Sequence, residues 1–251
     1  MLLVVERDVK MFLNRKILLF MRALWFIAQI SLFGLIASEM VIIPNYFEYY
    51  ASGVVIILLY STAMYIGYDI YEEAEHGIVE YLLSLPISRR ELAVGRSIGG
   101  GLRSVIYVAP LMGVVFILIG VGDPLRLLVA IASLFLFSFG VAGLSVTLAM
   151  GIKSPDKFDI FMGVLDALIV RLSTVMYPQA FIQQANPAYG WIAGLNPLTF
   201  VADLFRWGAG LERYLTFNPL ISVMAVMLFF SVFTFIGIVF YERKLEGGGW
   251  E

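Results

Sequence analysis

Four stretches of this chain, between Glu48 and Asp69, Arg103 and Asp123, Arg126 and Lys153, and Arg213 and Glu242, carry no charged residue. A helix needs about 20 mostly apolar residues to cross the hydrocarbon of a bilayer. Hydrocarbon also offers no water to backbone amides, which favours helices. Runs of this kind predict an all-α integral membrane protein. Composition agrees: 61% of the 251 residues are hydrophobic and 14% are charged, where soluble domains carry about a quarter charged. Two further spans complete a set of six. One, roughly 17–43, tolerates Arg22 because a long side chain near one end can snorkel to the interface. The other, roughly 158–176, contains Asp166 and Arg171.

Helix starts and charge support this count. Asp123-Pro124, Ser154-Pro155 and Asn218-Pro219 each set a capping side chain before a proline at the first helical position. They fall where spans four, five and six should begin. With six spans both termini share one side, which collects 13 of the 17 basic residues; Arg126, Arg171, Arg206 and Arg213 remain opposite. The positive-inside rule then makes the termini cytoplasmic in a multi-pass protein of the plasma membrane. The N-terminus lacks a signal-peptide core and cleavage site, so the first span reads as a retained anchor. Residues 1–20 mix apolar and basic side chains at helical spacing, as an amphipathic helix in the cytoplasmic interface does. Absence of cysteine excludes disulfides and thiolate metal sites, and no carboxylate–histidine cluster suggests a metal.

The chain's most polar region, 72–91, lies on the cytoplasmic side. Ile78, Leu82 and Leu85 recur at helical spacing while Glu75, Glu80 and Ser84 take the other face, predicting a helix over 75–85 of about three turns. Pro86 disfavours helix at Leu85 and ends it. Ser88-Arg89-Arg90-Glu91 reads as a capping box that opens the next helix. Gly77, near the first turn, suits close approach of another surface. Positive-inside anchoring accounts for the arginines here; it does not account for five acids on the same side.

The segment Glu73, Glu75, His76, Gly77, Glu80, Leu82, Leu83, Pro86, Ile87, Ser88 and Arg89 resembles the coupling region of six-helix, type-2 ABC export permeases, the class that includes multidrug and daunorubicin-resistance transporters. It differs at Ile78, where that family usually has threonine, and at Ala74, where a basic residue is common. A second stretch, Asn196-Pro197-Leu198-Thr199-Phe200 followed by Asp203 and Arg206, is similar to the family's Asn-Pro-Leu-Thr-aromatic motif before the last span. The resemblance runs over nearly the whole chain. It implies a single permease domain, 1–251, that pairs with a second permease chain, a copy or a homologue, and docks separate ABC ATPase subunits through the 75–84 helix. ATP and Mg would reside on those subunits, with no cofactor on this chain and no nucleic-acid partner beside the lipid.

Between Arg171 and Asp203 no charge occurs, yet Pro178, Asn186-Pro187 and Asn196-Pro197 forbid one helix. Non-helical backbone at membrane depth must be buried in protein or face water. A re-entrant pair of short helices within an outer hairpin, 177–212, satisfies this and is what the resemblance implies. Asn196 is placed to cap a helix from Pro197 to Gly208 or Gly210, on which Asp203 and Arg206 stand three apart and can pair. Asp166 and Arg171 are expensive inside a span unless they face a polar interior. Their separation of about 140° makes them poor partners for each other, so a place on the transport path or at a subunit interface and a structural pairing to another span both fit. No phosphate-binding loop is present, and Gly99-Gly100-Gly101 lacks its lysine, so the chain reads as a transport subunit without ATPase chemistry of its own. An ion-gradient-driven transporter and an intramembrane enzyme are the competing readings. Few span-embedded acids argue against the first, and a lone His76 outside the membrane argues against the second.

Overall fold

The computed structural model describes residues 2–41, 43–152 and 154–246. Lys153, and the Arg22 side chain that the snorkelling expectation concerns, lie outside the described residues. The described residues are helical, with no strand among them. Helix α1 (Leu2–Asn14) is amphipathic: Val4, Val5 and Phe12 are buried while the opposite face carries Glu6 and Lys10. After a break at Arg15, α2 (Lys16–Ala28) passes through a π-helical segment (Gln29–Gly34) into α3 (Leu35–Met40).

Among the described residues five helices are long and apolar enough to cross a membrane: Leu19–Met40, Tyr46–Glu75, Arg89–Ile119, Pro124–Gly151 and Pro219–Leu245. The second comprises α4 (Tyr46–Met64) and α5 (Ile66–Glu75), the most enclosed span of the bundle. The others are α7 (Arg89–Ile119), α8 (Pro124–Gly151) and α13 (Pro219–Glu246). The expected span over 158–176 is α9 (Pro155–Arg171), only 17 residues, or about 25 Å long. It stops five residues early because the carbonyls of Thr174 and Val175 leave the helix to bond another side chain.

Local signals act as the sequence suggests. The Asp123 carboxylate accepts from Leu125 N at 2.9 Å, Ser154 Oγ from Lys157 N at 3.5 Å, and Asn218 Oδ1 from Leu220 N at 2.9 Å. Each satisfies an otherwise orphaned helix amide ahead of a proline that has none to offer. Beyond α9 the outer segment forms three short helices rather than two: α10 (Gln179–Ala185), α11 (Pro187–Leu195) and α12 (Pro197–Gly208), broken at both Asn-Pro pairs. Between α5 and α7 the helix expected over 75–85 is α6 (Ile78–Ser84), about two turns instead of three. Gly77, at φ 66°, ends α5 and starts α6 with a left-handed residue, a conformation open to glycine at little cost.

Small residues set the tightest crossings. A Cβ on Gly99 would meet Asp8 of α1 at 3.1 Å, and one on Gly100 would meet Ile66 at 3.1 Å. The triplet thus admits α1 and α5 onto α7, as small residues do at membrane helix contacts. Helices α8 and α13 touch backbone to backbone at Gly143 and Gly237. Gly143→Leu forces them apart and lowers stability in detergent by about 1–3 kcal/mol, read as a reduced midpoint of denaturation; an unchanged midpoint would show that this crossing does not hold the bundle.

Candidate functional site

At the end of the bundle where α5 stops and α7 begins, α6 sits as a bracket between them. Val79 and Leu82 are buried beneath it, with Leu83 half-buried, while Glu75, His76, Gly77, Glu80, Ser84, Pro86, Ser88 and Arg89 are exposed in one continuous strip. Tyr81, 64% exposed, stands among them. The capping box forms: Glu91 N donates to Ser88 Oγ at 3.2 Å and Ser88 N donates to Glu91 Oε2 at 3.1 Å. His76 is tied locally, its Nδ1 lying 2.6 Å from the Glu72 carbonyl. A Cβ on Gly77 would meet only Glu80, at 3.8 Å. Its backbone geometry, rather than close packing within the chain, explains this glycine.

Glu73 points the other way. It is 3% exposed and pairs with Arg96, which is 1% exposed, and with Arg7 of α1 at 3.1 Å. Asp8 approaches the same Arg96 at 3.6 Å and pairs with Arg7 at 2.8 Å. One turn back on α5, Asp69 pairs with Arg103 and lies 3.8 Å from Arg15, whose other partner is Glu72 at 2.8 Å. Buried charges persist only when paired, and here four arginines face four carboxylates drawn from α1, α5 and α7. Of this network only Glu73 stood out in the sequence. The signal for the rest was Arg96 and Arg103 seven apart, two turns along one face of α7, beside three glycines that let an acid-bearing helix approach.

The outer motif is also a buried polar knot. Arg206 is fully enclosed, with its ring-stacked guanidinium 3.7 Å from the centroid of Tyr49. Its Nε donates to Ser52 Oγ at 3.1 Å, and its Nη2 donates to the carbonyls of Thr174 at 3.1 Å and Val175 at 3.3 Å. The expected pairing of Asp203 with Arg206 is replaced by two separate tasks. Asp203 accepts from Thr216 N at 3.1 Å and Phe217 N at 2.9 Å, fastening the turn before α13. Burial pushes its carboxyl up to about 6, against the lowering pull of Arg206 and of those two amides. Asn196 does cap α12, accepting from Leu198 N at 2.9 Å, while its amide donates to the carbonyls of Ile169 and Leu172 at 2.8 Å each. Pro197 occupies the first turn of that helix.

Asp166 and Arg171 are not brought to the knot. Both line a groove between α2, α4 and α9. Polar groups beyond the sequence's candidates therefore fall in three places: Asp8, Asp69, Arg96 and Arg103 inside, Tyr49, Ser52 and Thr174 outside, and Gln29 and Ser61 in the groove.

A family model described as ABC-2 type transporter matches residues 1–209. Comparison with curated proteins returned no match. The matched region contains both motifs, the charge network and the knot, and stops short of α13.

Arg96→Met removes the nearest counter-charge of buried Glu73 and leaves Arg7 alone to serve both Glu73 and Asp8, at a cost of about 3–5 kcal/mol. Adding Glu73→Leu to that variant recovers much of the loss, because an apolar pair has no desolvation penalty to offset. Thermal denaturation of the single and double variants in detergent measures both effects; equal losses in the two would mean the ion pair is not the buried contact that matters.

Proposed function

As a member of the ABC-2 type transporter family, this chain is a membrane-embedded permease, and we propose that it works as the transmembrane subunit of an ATP-driven exporter. In this reading two permease chains enclose the path, and separate ABC ATPase subunits carrying ATP and Mg dock on the cytoplasmic strip. The observation that carries the proposal is the placement of α6: an exposed ridge with Tyr81 at its crest, joined to two spans by stiff connections. Gly77 links it to α5, and the Ser88–Glu91 box links it to α7. A push on α6 therefore reaches both helices within a few residues.

The buried charges determine what moves. Arg96 with Glu73 and Asp8 locks α7 to α5 and to α1, so these three elements tilt together. Closing of the ATPase pair on ATP would favour one tilt and reopening the other. Differential contact with the two states is all that a two-state gate requires. Exposed Arg89 and Arg90 and the acids Glu75 and Glu80 supply charges of both signs to a docking partner. Such rim charges steer association more than they hold it; Tyr81 is the residue of the type that anchors an interface.

The proposal also carries an orientation: the α6 strip and both termini cytoplasmic, α10–α12 outside, and the whole in the plasma membrane. Because the chain has no cysteine, single substitutions report it without background. Ser84→Cys is expected to react with an impermeant maleimide only in inverted vesicles, and Gln183→Cys only in intact cells. The opposite labelling pattern would invert the scheme.

Co-purification in mild detergent tests the coupling. The wild-type chain is expected to carry an ATP-binding-cassette subunit with it. Tyr81→Glu weakens that association at least about tenfold, a loss of about 1.4 kcal/mol or more. Gly77→Pro abolishes transport because proline fixes φ near −65° where the turn needs 66°. A chain that always purifies alone, or that transports with Gly77→Pro in place, would sink the proposal.

A further inference from the structure

The groove between α2, α4 and α9 has a volume of about 380 Å³ and is lined by Trp25, Gln29, Ser61, Asp166, Val170 and Arg171 among others. Gln29 opens the π-helical segment, the widened turn often found at functional sites. Trp25 is 52% exposed although it sits nine residues into α2. The charges of the Arg96 network pair with one another, and Arg206 is held by carbonyls, a hydroxyl and a ring. Asp166 and Arg171, in contrast, have no hydrogen bond and no ion pair within 4 Å among the described residues. Two opposite charges share one groove, near enough to attract each other but not in contact, and charges so placed in a membrane bundle are costly.

The order of these groups narrows what would satisfy them. Arg171 ends α9 on the outer side, and Asp166 lies five residues deeper, about 7.5 Å along the axis. Gly163 lies a further three residues along α9, and Trp25 of α2 lines the same groove. A plain cation would meet Arg171 at the mouth, and a plain anion would meet Asp166 inside. A second copy of the chain related by a twofold axis along the membrane normal keeps its Asp166 and Arg171 at these same two depths, so cross-pairing leaves the offset in place.

We infer that the groove binds a zwitterionic amphiphile whose cationic centre adjoins its tail and whose anionic group is outermost. The cation rests on Asp166 and the face of Trp25, the anion on the Arg171 guanidinium, and the tail runs inward past Gly163. As the substrate class of the transport path this rests on the exporter reading; as a binding site it does not.

The test uses the full chain with its ATPase partner in phosphatidylglycerol nanodiscs. Dodecyl sulfobetaine has the inferred order of charges, and dodecylphosphocholine has the reverse order on the same tail. Each is titrated while tryptophan fluorescence is followed, with Trp25→Phe assigning the signal. The sulfobetaine is expected to bind at least about tenfold tighter than the phosphocholine. Asp166→Asn and Arg171→Gln each lose about tenfold of that affinity, and Asp166→Glu retains it. Wild-type affinity in both charge-removing variants, or equal binding of the two amphiphiles, overturns the inference. Dissociation of the permease pair in Asp166→Asn overturns it too, by assigning the groove to a second copy. ATP-dependent accumulation of the sulfobetaine in inverted vesicles marks an exported solute, while tight binding without accumulation marks a resident lipid of the same chemistry. Failure of the ATPase to co-purify while the groove still binds removes the exporter reading alone.

Discussion

Arg96 holds its guanidinium out of water between α1, α5 and α7, and the half of the molecule that carries α6 is arranged around that placement. A buried cation of this size demands carboxylates at contact distance, because nothing else nearby replaces its hydration. Glu73 comes from the end of α5 and Asp8 from the middle of α1, with the buried Tyr241 of α13 alongside. Once those pairs form, α1 is fixed against the glycines of α7 and α5 is fixed beside it. The chain between Glu73 and Arg96 then has to leave the bundle and return, and α6 is the part that stands out. The exposed ridge exists because its two ends are tied.

The outer half meets the same electrostatic problem with a different solution. Arg206 is enclosed without a carboxylate at contact distance. Carbonyls of Thr174 and Val175, the Ser52 hydroxyl and the ring of Tyr49 surround it instead. Those carbonyls are available only because α9 has ended, so the cation and the break in the helix depend on each other. Broken backbone at depth needs a partner for its polar groups, and a buried guanidinium needs acceptors. Asp203, freed from pairing, secures the amides that lead into α13.

Against these two internally bonded sites the groove at Asp166 is the exception. Its charges are presented rather than consumed, on α9, whose neighbours on this side are the peripheral α2 and the central α4. Tilting α5 and α7 as a unit moves α4, since Tyr46–Glu75 is one continuous span. A path therefore exists from the exposed ridge to the groove, through helices rather than loops, and its rigidity comes from the ion pairs of Arg96.

Much of this was legible along the chain. The uncharged runs, the caps before proline and the Ser88–Glu91 box depend on neighbours within a few positions, where the sequence is explicit. The cytoplasmic helix was legible as well, though not its shortening to Ile78–Ser84 by the left-handed Gly77. Which charges are buried was not. Glu73 reads as one more acid on a polar loop until Arg7, 66 residues away, and Arg96 close on it. Asp203 and Arg206 read as partners at helical spacing until Arg206 finds carbonyls 32 and 31 residues away. Sequence alone determined that this chain is a membrane bundle, because transfer from water to hydrocarbon acts on each segment by itself. Only the tertiary structure decided which polar groups are spent on stability and which remain for a ligand, because a charge is satisfied by its neighbours in space.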